Sequence, residues 1–534
     1  MIIKKIPGSG EVQMVYDARD RMVMMQDSNM RVSQKWKVTV YENNMNRPVN
    51  TYLITDPANY NNSDFHRTQA YTNISYPVVA SYTNELLSET YYDDYTGLPA
   101  GLSSALNGTY ITSSNFITTY NTSPLYAQQI TQSLAVKGMA TWSRVKVLGS
   151  TNTFISTAMV YDDRGRVIQL QSINPTGGLD IATTQYDFSG KVLREHQKTQ
   201  KLNNTTHNFE MLTSMEYDHT GRVKKIKKKL TNNGTVFTEK TIAENTYDEL
   251  GQLKTKKLAT EYNNNAGIES LVYDFNIRGW MLGVNRDYLL AQGQSGTTKF
   301  GFELGYDKLT NKAARNFTAA QYNGNINGIV WKSDGDDVRR KYDFSYDAAN
   351  RFMKGLFEQD NGASTWNNTA MNYTVQMGNG TDPLTAYDAN GNIKAMTQYG
   401  WKLGVNTATP IDNLAYNYTL NTNKLMNVID ANNDPLTKLG DFRTSSISPN
   451  QSKNSNTVDY TYDANGNLKK DLNKDIGTAT AEDIVYNHLN LPQSITVRTT
   501  GGAIKGTITY TYDAAGNKLE KRVTEGAALT VTTY

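Results

Sequence analysis

Seven copies of one short pattern, Tyr-Asp-x-x-Gly, constrain this chain more than any other feature of it. They stand at Tyr161-Asp162…Gly165, Tyr186-Asp187…Gly190, Tyr217-Asp218…Gly221, Tyr247-Asp248…Gly251, Tyr387-Asp388…Gly391, Tyr462-Asp463…Gly466 and Tyr512-Asp513…Gly516. The copy inside Val458–Leu472, VDYTYDANGNLKKDL, shows what the pattern encodes. Val458, Tyr460 and Tyr462 alternate with Asp459 and Thr461, the period of a half-buried strand. Asp463 opens a turn, because its carboxylate can accept a hydrogen bond from the backbone two residues on. Gly466 supplies the positive φ that closes a type I turn with a bulge. The chain then returns through Leu468, Lys470 and Leu472. With Asp463 and Asn467 closing the loop, Tyr462 is expected to face Leu468, and Val458 to face Leu472. Each copy therefore predicts one β-hairpin, with its Tyr at a strand end.

Looser copies start at Tyr16, Tyr273, Tyr306 and Tyr346, and Tyr486-Asn487…Asn490 keeps the turn with Asn at both key positions. Asp20 and Asn350 hold the Gly place in two of them, and Asn is the next-best residue for a left-handed conformation. Neighbouring copies lie mostly about 25 to 40 residues apart, the range of a repeat architecture. A stacked array is quasi-one-dimensional and need not divide into globules, even at 534 residues. The expected organisation is first repeats over 1–50 and an irregular Ser/Thr/Asn/Tyr-rich β segment over 51–150, with a degenerate turn at Asp94-Tyr95-Thr96-Gly97. Regular repeats follow over 151–285 and extended repeats with long loops over 286–345. Repeats then resume over 346–534, interrupted around 360–380, 401–412 and 442–457. Helix is expected to be scarce, with one short turn near 313–321.

Hydrophobic residues make up only 38% of the chain, 35 Tyr included, and mean hydropathy is −0.59. A compact globule of this length would carry a larger apolar core. The regular Tyr/Val/Ile alternation argues against disorder, so the composition points to an ordered all-β sheet with large wetted surfaces. Lys470, between Leu468 and Leu472, and Lys521, between Leu519 and Val523, fit such a sheet, because a charge on a dry face is costly.

Net charge is +3, with 54 basic against 51 acidic residues, which gives no global pull towards nucleic acid or membrane. The absence of Cys excludes disulfides, thiolate metal sites and thiol nucleophiles. No apolar run approaches the roughly 18 residues of a membrane span. The opening MIIKKIPGSGEVQ lacks the apolar core of a signal peptide, and the last residues, VTVTTY, resemble a strand in progress. A fragment is expected, with export and C-terminal segments elsewhere.

No catalytic, cofactor or metal constellation stands out. The five His do not pair at metal spacing, and His219 and His488 fall on variable turn positions, where solvated side chains are expected. Most Asp residues are explained by turn capping. Asp334-Gly335-Asp336-Asp337 and the 463–467 turn lack the spaced oxygens and closing Glu of a roughly twelve-residue calcium loop. Lys224–Lys229 follows a turn directly and reads as a returning strand with alternating lysines on a solvated edge, where they discourage aggregation, rather than as a phosphate patch. GxxxxGK[ST], HExxH and GxSxG are all absent.

The units YDDRGRV, YDFSGKV, YDHTGRV and YDANGNL resemble the YD repeats of Rhs proteins, similar to those of Tc toxin shell subunits and animal teneurins. The Asn-rich style and Arg278-Gly279-Trp280 resemble secreted or surface Rhs proteins of Bacteroidetes-type bacteria. The resemblance covers most of the chain. It implies a long antiparallel sheet spiralling into a hollow shell that encloses or delivers a C-terminal effector. Some members free that effector with an aspartyl-protease-like core, but no DPxG-type motif follows Asp56-Pro57, Asp382-Pro383 or Asp434-Pro435. This chain is thus expected to be an incomplete, non-enzymatic shell wall, secreted or on the cell surface, partnered by the effector of the full-length protein. The alternative is a teneurin-like adhesion module binding glycans or surface proteins. A carbohydrate-active enzyme would need paired carboxylates free of the repeats.

Overall fold

In this computed structural model the structure describes residues 2–42, 44–202, 205–290, 298–313, 315–362, 365–402, 407–432, 442, 453–499 and 501–534. Where β-branched and aromatic residues alternate with polar ones the chain extends, and where Asp-x-x-Gly interrupts them it reverses. Antiparallel strands follow one another from Ile3–Lys5 to Leu425–Asp430 in one 27-stranded sheet. A two-stranded piece, Tyr460–Tyr462 with Leu468–Asp471, and a five-stranded piece, Ile484–Tyr486 to Ala528–Thr533, carry it on. Backbone bonds join these pieces: Asp459 N–H donates to Met426 O at 2.9 Å and Asp483 N–H to Lys469 O at 3.1 Å. The longest described helix is Ser63–Thr72. The sheet is unclosed: among the described residues Ile3–Lys5 and Ala528–Thr533 pair on one side only.

A second irregularity lies behind each turn. Tyr161 faces Val167, but Val160 faces Gln169, so Ile168 is an extra residue on the return strand. The same one-residue slip follows Tyr186, Tyr217, Tyr247, Tyr462 and Tyr512. Bulges increase local twist and bend the strand, so a bulge repeated behind these six Tyr-Asp turns curls the sheet. It also corrects one expected pair. Tyr462 faces Leu468, but beyond the bulge Asp459 stands against Leu472, whose N–H donates to Asp459 O at 3.1 Å, while Val458 is left 46% exposed. Lys470 is buried rather than wetted, its stem running against Gly477.

Other expectations shift for similar local reasons. The copy expected at Tyr273 turns two residues later: Asn276 N–H donates to Trp280 O and Gly279 N–H to Asn276 O, each at 2.9 Å. After Tyr306 the tight turn is replaced by a loop reaching the strand Gly328–Ser333, and the described part of 313–321 contains no helix. The described parts of 401–412 belong to the paired strands Ala395–Lys402 and Thr407–Tyr418, not to an insertion. Most of 442–457 lies outside the described residues. Residues 93–139 carry no strand; they are an insertion in a hairpin tip, since Tyr92 faces Ala140 and Asp93 N–H donates to Met139 O at 3.0 Å. The lysine run occupies Val223–Asn232, which pairs with Thr206–Tyr217 on one side and Lys240–Tyr247 on the other, so it is an interior strand and not an edge. Lys225 and Lys227 are held there by Glu244 and Glu216 at 3.5 and 2.7 Å.

Buried apolar residues form small separate clusters. The largest gathers Val15, Val23, Met24, Trp36, Val38, Ile54 and Ala70 under the helix Ser63–Thr72. Two others centre on Leu289 with Phe317 and on Met353 with Tyr387. The curled sheet meets its own beginning. Leu148 N–H donates to Tyr512 O and Ala514 N–H to Lys146 O, both at 2.8 Å, and Gly10 N–H donates to Ala464 O at 2.9 Å.

Candidate functional site

The repeat tips and the seam where late tips seat on early strands are the built sites of this molecule. Each tip is held by one carboxylate. In the first strict copy, Gly165 N–H donates to Asp162 O at 3.1 Å, the turn bond, with φ +72° at Gly165. Asp162 Oδ1 accepts from the backbone N–H of Arg164 and Arg166, both at 2.9 Å, and Oδ2 accepts from Arg166 Nε at 2.7 Å. Asp218, Asp388, Asp463 and Asp513 repeat this three-point grip. Asp187 and Asp248 use the same oxygen for their turns. Gly190, Gly221, Gly251, Gly391, Gly466 and Gly516 all have positive φ.

The Tyr and the residue after Gly act between repeats. Tyr161 Oη donates to Ala140 O at 2.6 Å, Tyr186 to Val167 O at 2.9 Å, Tyr217 to Val192 O at 2.8 Å and Tyr247 to Val223 O at 2.7 Å. Tyr387 donates to Phe352 O, and Tyr462 to Leu425 O at 2.9 Å. In each case the acceptor opens the return strand of the preceding hairpin. In the other direction, Arg166 lies over the Tyr186 ring at 4.6 Å, Arg222 over Tyr247 at 4.4 Å and Arg351 over Tyr387 at 4.6 Å. A guanidinium on an aromatic face is attracted by the ring quadrupole. Burial pushes the hydroxyls of Tyr161, Tyr186, Tyr217, Tyr387 and Tyr462 up, so they stay protonated donors. Two copies escaped the sequence pattern, one at Tyr92, whose hydroxyl donates to Pro48 O at 3.1 Å, and one at Tyr418. Tyr418 makes the same bond, to Ile393 O at 2.9 Å, over a turn closed by Thr419 N–H to Lys424 O at 2.9 Å. Thr419 in the Asp place hid it.

The 93–139 insertion is strapped to the sheet by buried glutamines. Asn107 N–H donates to Gln169 Oε1 at 2.8 Å, and Gln169 Nε2 donates back to Asn107 O at 2.9 Å. Gln185 holds Ile117 in the same way, at 2.9 and 2.8 Å, and also donates to Gln128 O at 3.0 Å. Each carboxamide thus serves a passing backbone as a neighbouring strand would.

At the seam, Asn29 Nδ2 donates to Asp463 Oδ2 at 2.7 Å and Asn490 Nδ2 to Asp27 Oδ2 at 3.0 Å. A polar cavity of about 460 Å³ lies between the two turns of sheet, walled by Lys35 and Glu85 on one side and Lys469 and His488 on the other. Here a sequence expectation fails. His219 is exposed, but His488 is half-buried in this cavity, with a buried Nε2 that no described group meets. A turn position on a repeat tip is solvated only while nothing docks on the tip. The acidic run shows a different outcome from a calcium loop: Asp336 pairs with Arg340, and Asp337 with Lys332 at 2.6 Å. Among the described residues no group of three or more His, Asp or Glu is placed to hold a metal.

The seam gives a paired test of glycine. At Gly466, φ is +86° and a Cβ would lie 2.7 Å from Gly8 O, whereas at Gly391, with φ +85°, nothing is within 4 Å. Gly391→Ala will cost about 1 kcal/mol from backbone strain alone. Gly466→Ala will cost about 2–3 kcal/mol, because the seam must also move. Denaturant midpoints of the two variants check this; equal losses would show that the close approach carries no weight.

Acid acts on two sets of groups. Burial pulls His66, His196 and His488 below the ordinary imidazole value, against the opposing pull of Asp56, Glu210 and Glu85 respectively. A depressed folded value means that the unfolded chain binds the proton first, so this stability is full above about pH 6.5 and is lost as pH falls below it. Burial pushes Asp17, Asp347 and Asp388 up, yet hydrogen bonds from the residues two and four places on outweigh it and hold them below the usual range. Their contribution is full above about pH 4 and is lost below it. Burial raises Asp180, Asp412, Asp430 and Asp471, whose opposite effect offsets part of the loss between these windows. Denaturant midpoints should therefore fall between about pH 7 and pH 5, and His488→Gln should reduce that fall.

The geometry defines a class of fold: all-β, one long antiparallel sheet laid down hairpin by hairpin, curled and unclosed. Among solved structures, the crystal structure of TcdB2-TccC3 matches 100% of this chain with a TM-score of 0.57 and 13% sequence identity. The chain spans 21% of that protein's length. No family model matches, and no curated protein matches. Among the described residues no helix is long and apolar enough to cross a membrane.

Proposed function

We propose that this chain is a wall segment of an Rhs-type β-shell, a non-enzymatic container that encloses an effector segment of the same protein for delivery outside the cell. The observation that carries this reading is an unclosed sheet that curls back so that late repeat tips seat on its early strands, while its apolar core stays in small separate clusters. A solid domain is held by one contiguous core. A wall is held by neighbour-to-neighbour bonds, which the Tyr and Arg ladder supplies. The repeat carboxylates support a wall and not a catalyst, since turn N–H groups and cations engage them. Small-angle scattering of the purified chain tests the hollow form. The distance distribution should peak well beyond half its maximum extent; a symmetric, solid-globule curve would overturn the reading. In the full-length protein, the effector segment should resist protease until the wall is breached. Equal cleavage of attached and free effector would refute enclosure.

A further inference from the structure

Behind the Tyr462 hairpin lies a buried trio with a chemistry that the repeats do not require. Lys453 Nζ lies 2.7 Å from Asp459 Oδ2 and also donates to the side-chain carbonyl oxygen of Asn473. Asn473 Nδ2 donates to the same Asp459 Oδ2 at 3.3 Å and to Tyr460 Oη at 2.9 Å. The Lys453 and Asp459 side chains are 1% and 0% exposed, and Asn473 is 7% exposed. Asp459 Oδ1 is buried with no hydrogen-bond partner among the described residues. The three residues come from different places: Lys453 ahead of the first strand, Asp459 at its start, and Asn473 just past the return strand.

We propose that Lys453 and Asn473 form an intramolecular isopeptide bond, with Asp459 as the acid–base group. A hydrogen bond of ordinary length, about 2.8 Å, to Asn473 Oδ1 sets Nζ within roughly 4 Å of Asn473 Cγ, given a C=O length of about 1.23 Å. Near-attack geometry needs about 3–3.5 Å, so a small shift suffices. Passing one proton from Nζ to Asp459 leaves a neutral amine and a neutral acid. The amine lone pair then attacks Cγ. A second Nζ proton moves through Asp459 to Nδ2, the Cγ–Nδ2 bond breaks, and the Nζ–Cγ amide remains. The leaving amine takes the remaining proton and departs as ammonium, returning Asp459 to its carboxylate. Overall, an alkylammonium and a carboxamide become a secondary amide and ammonium, with no oxidant or reductant. One oxygen, Asp459 Oδ2, touches both the nitrogen that gives up protons and the nitrogen that receives them. Lys341 is the contrast. It is equally buried, but it meets Asp343, Glu358 and the backbone carbonyl of Asn316, so no leaving amine is in place.

The bond would close a loop around the Tyr460–Asp471 hairpin, a covalent staple in a chain without cysteine, close to the tip that seats on the first repeats. Intact mass spectrometry of the purified, denatured protein tests it. The expected mass is that of the sequence less one ammonia, and protease digestion should yield one branched peptide joining Lys453 to Asn473. Lys453→Arg and Asp459→Ala should each restore the full sequence mass. Succinimide formation at an Asn-Gly pair, such as Asn390-Gly391 or Asn465-Gly466, would also lose ammonia, so fragmentation must place the loss. A loss placed there, or separate Lys453 and Asn473 peptides at full mass, would overturn the proposal, and because wild-type protein decides it, poor folding of a variant does not shelter it.

Discussion

Asp162→Ala will destabilise the repeat array by about 3 kcal/mol, since removing one partner of a buried ion pair strands the other and frees two turn N–H groups. The carboxylate side chain is only 7% exposed, and it is the shared acceptor of Arg164 N–H, Arg166 N–H and Arg166 Nε. Arg166 is also the cation on the Tyr186 ring, so the effect reaches the next hairpin. Asp162→Asn should cost about 1 kcal/mol, because a carboxamide oxygen still accepts both backbone bonds and only the charge is lost. Asn276 and Asn487 already hold their turns in that way. Chemical denaturation of both variants checks the order. A loss for Asn as large as for Ala would show that the charge, not the turn, is what the Asp supplies.

Gln185→Leu will free the part of the 93–139 insertion around Ile117 at a local cost of about 3 kcal/mol, because three partly buried backbone groups lose their partners at once. Leu matches Gln in size, so packing around this 1% exposed side chain changes little and the lost bonds dominate. Hydrogen exchange at the amide of Ile117 should rise by two orders of magnitude or more, with the strands beneath unaffected. A uniform rise across the sheet, or none at Ile117, would show that the glutamine is not the strap.

The parts of this fold legible in the sequence are those whose chemistry closes within a few residues. The Asp463–Gly466 turn is one, since every donor and acceptor in it lies within the motif. The bulge behind the Tyr was not legible, because Val167 and Ile168 look alike on a strand. The inter-repeat work of Tyr and Arg was not legible either: Tyr186 and the carbonyl of Val167 are separated by a whole hairpin, and a polar residue after Gly needs no second duty to be explained. Gln169 and Gln185 read as ordinary polar strand positions, because the segment they hold has no strand pattern of its own. His488 was misread because docking of one sheet turn on another leaves no trace in local sequence. The Lys453 trio joins residues that no short-range motif connects.

The ladder between repeats has a direction. Each finished hairpin displays a carbonyl, joined by a cation where Arg follows the Gly, and the following hairpin answers with a single tyrosine. A repeat can therefore complete its own turn first and act as a landing platform for its successor, but not the reverse. Such a chain can zip vectorially, from its amino end, at the pace at which it leaves a ribosome or a secretion pore, each step exposing only one unfilled platform. Pulse-labelling hydrogen exchange during refolding would reveal that order as protection spreading from Tyr161 towards Tyr462, and protection starting at the carboxyl end would exclude it.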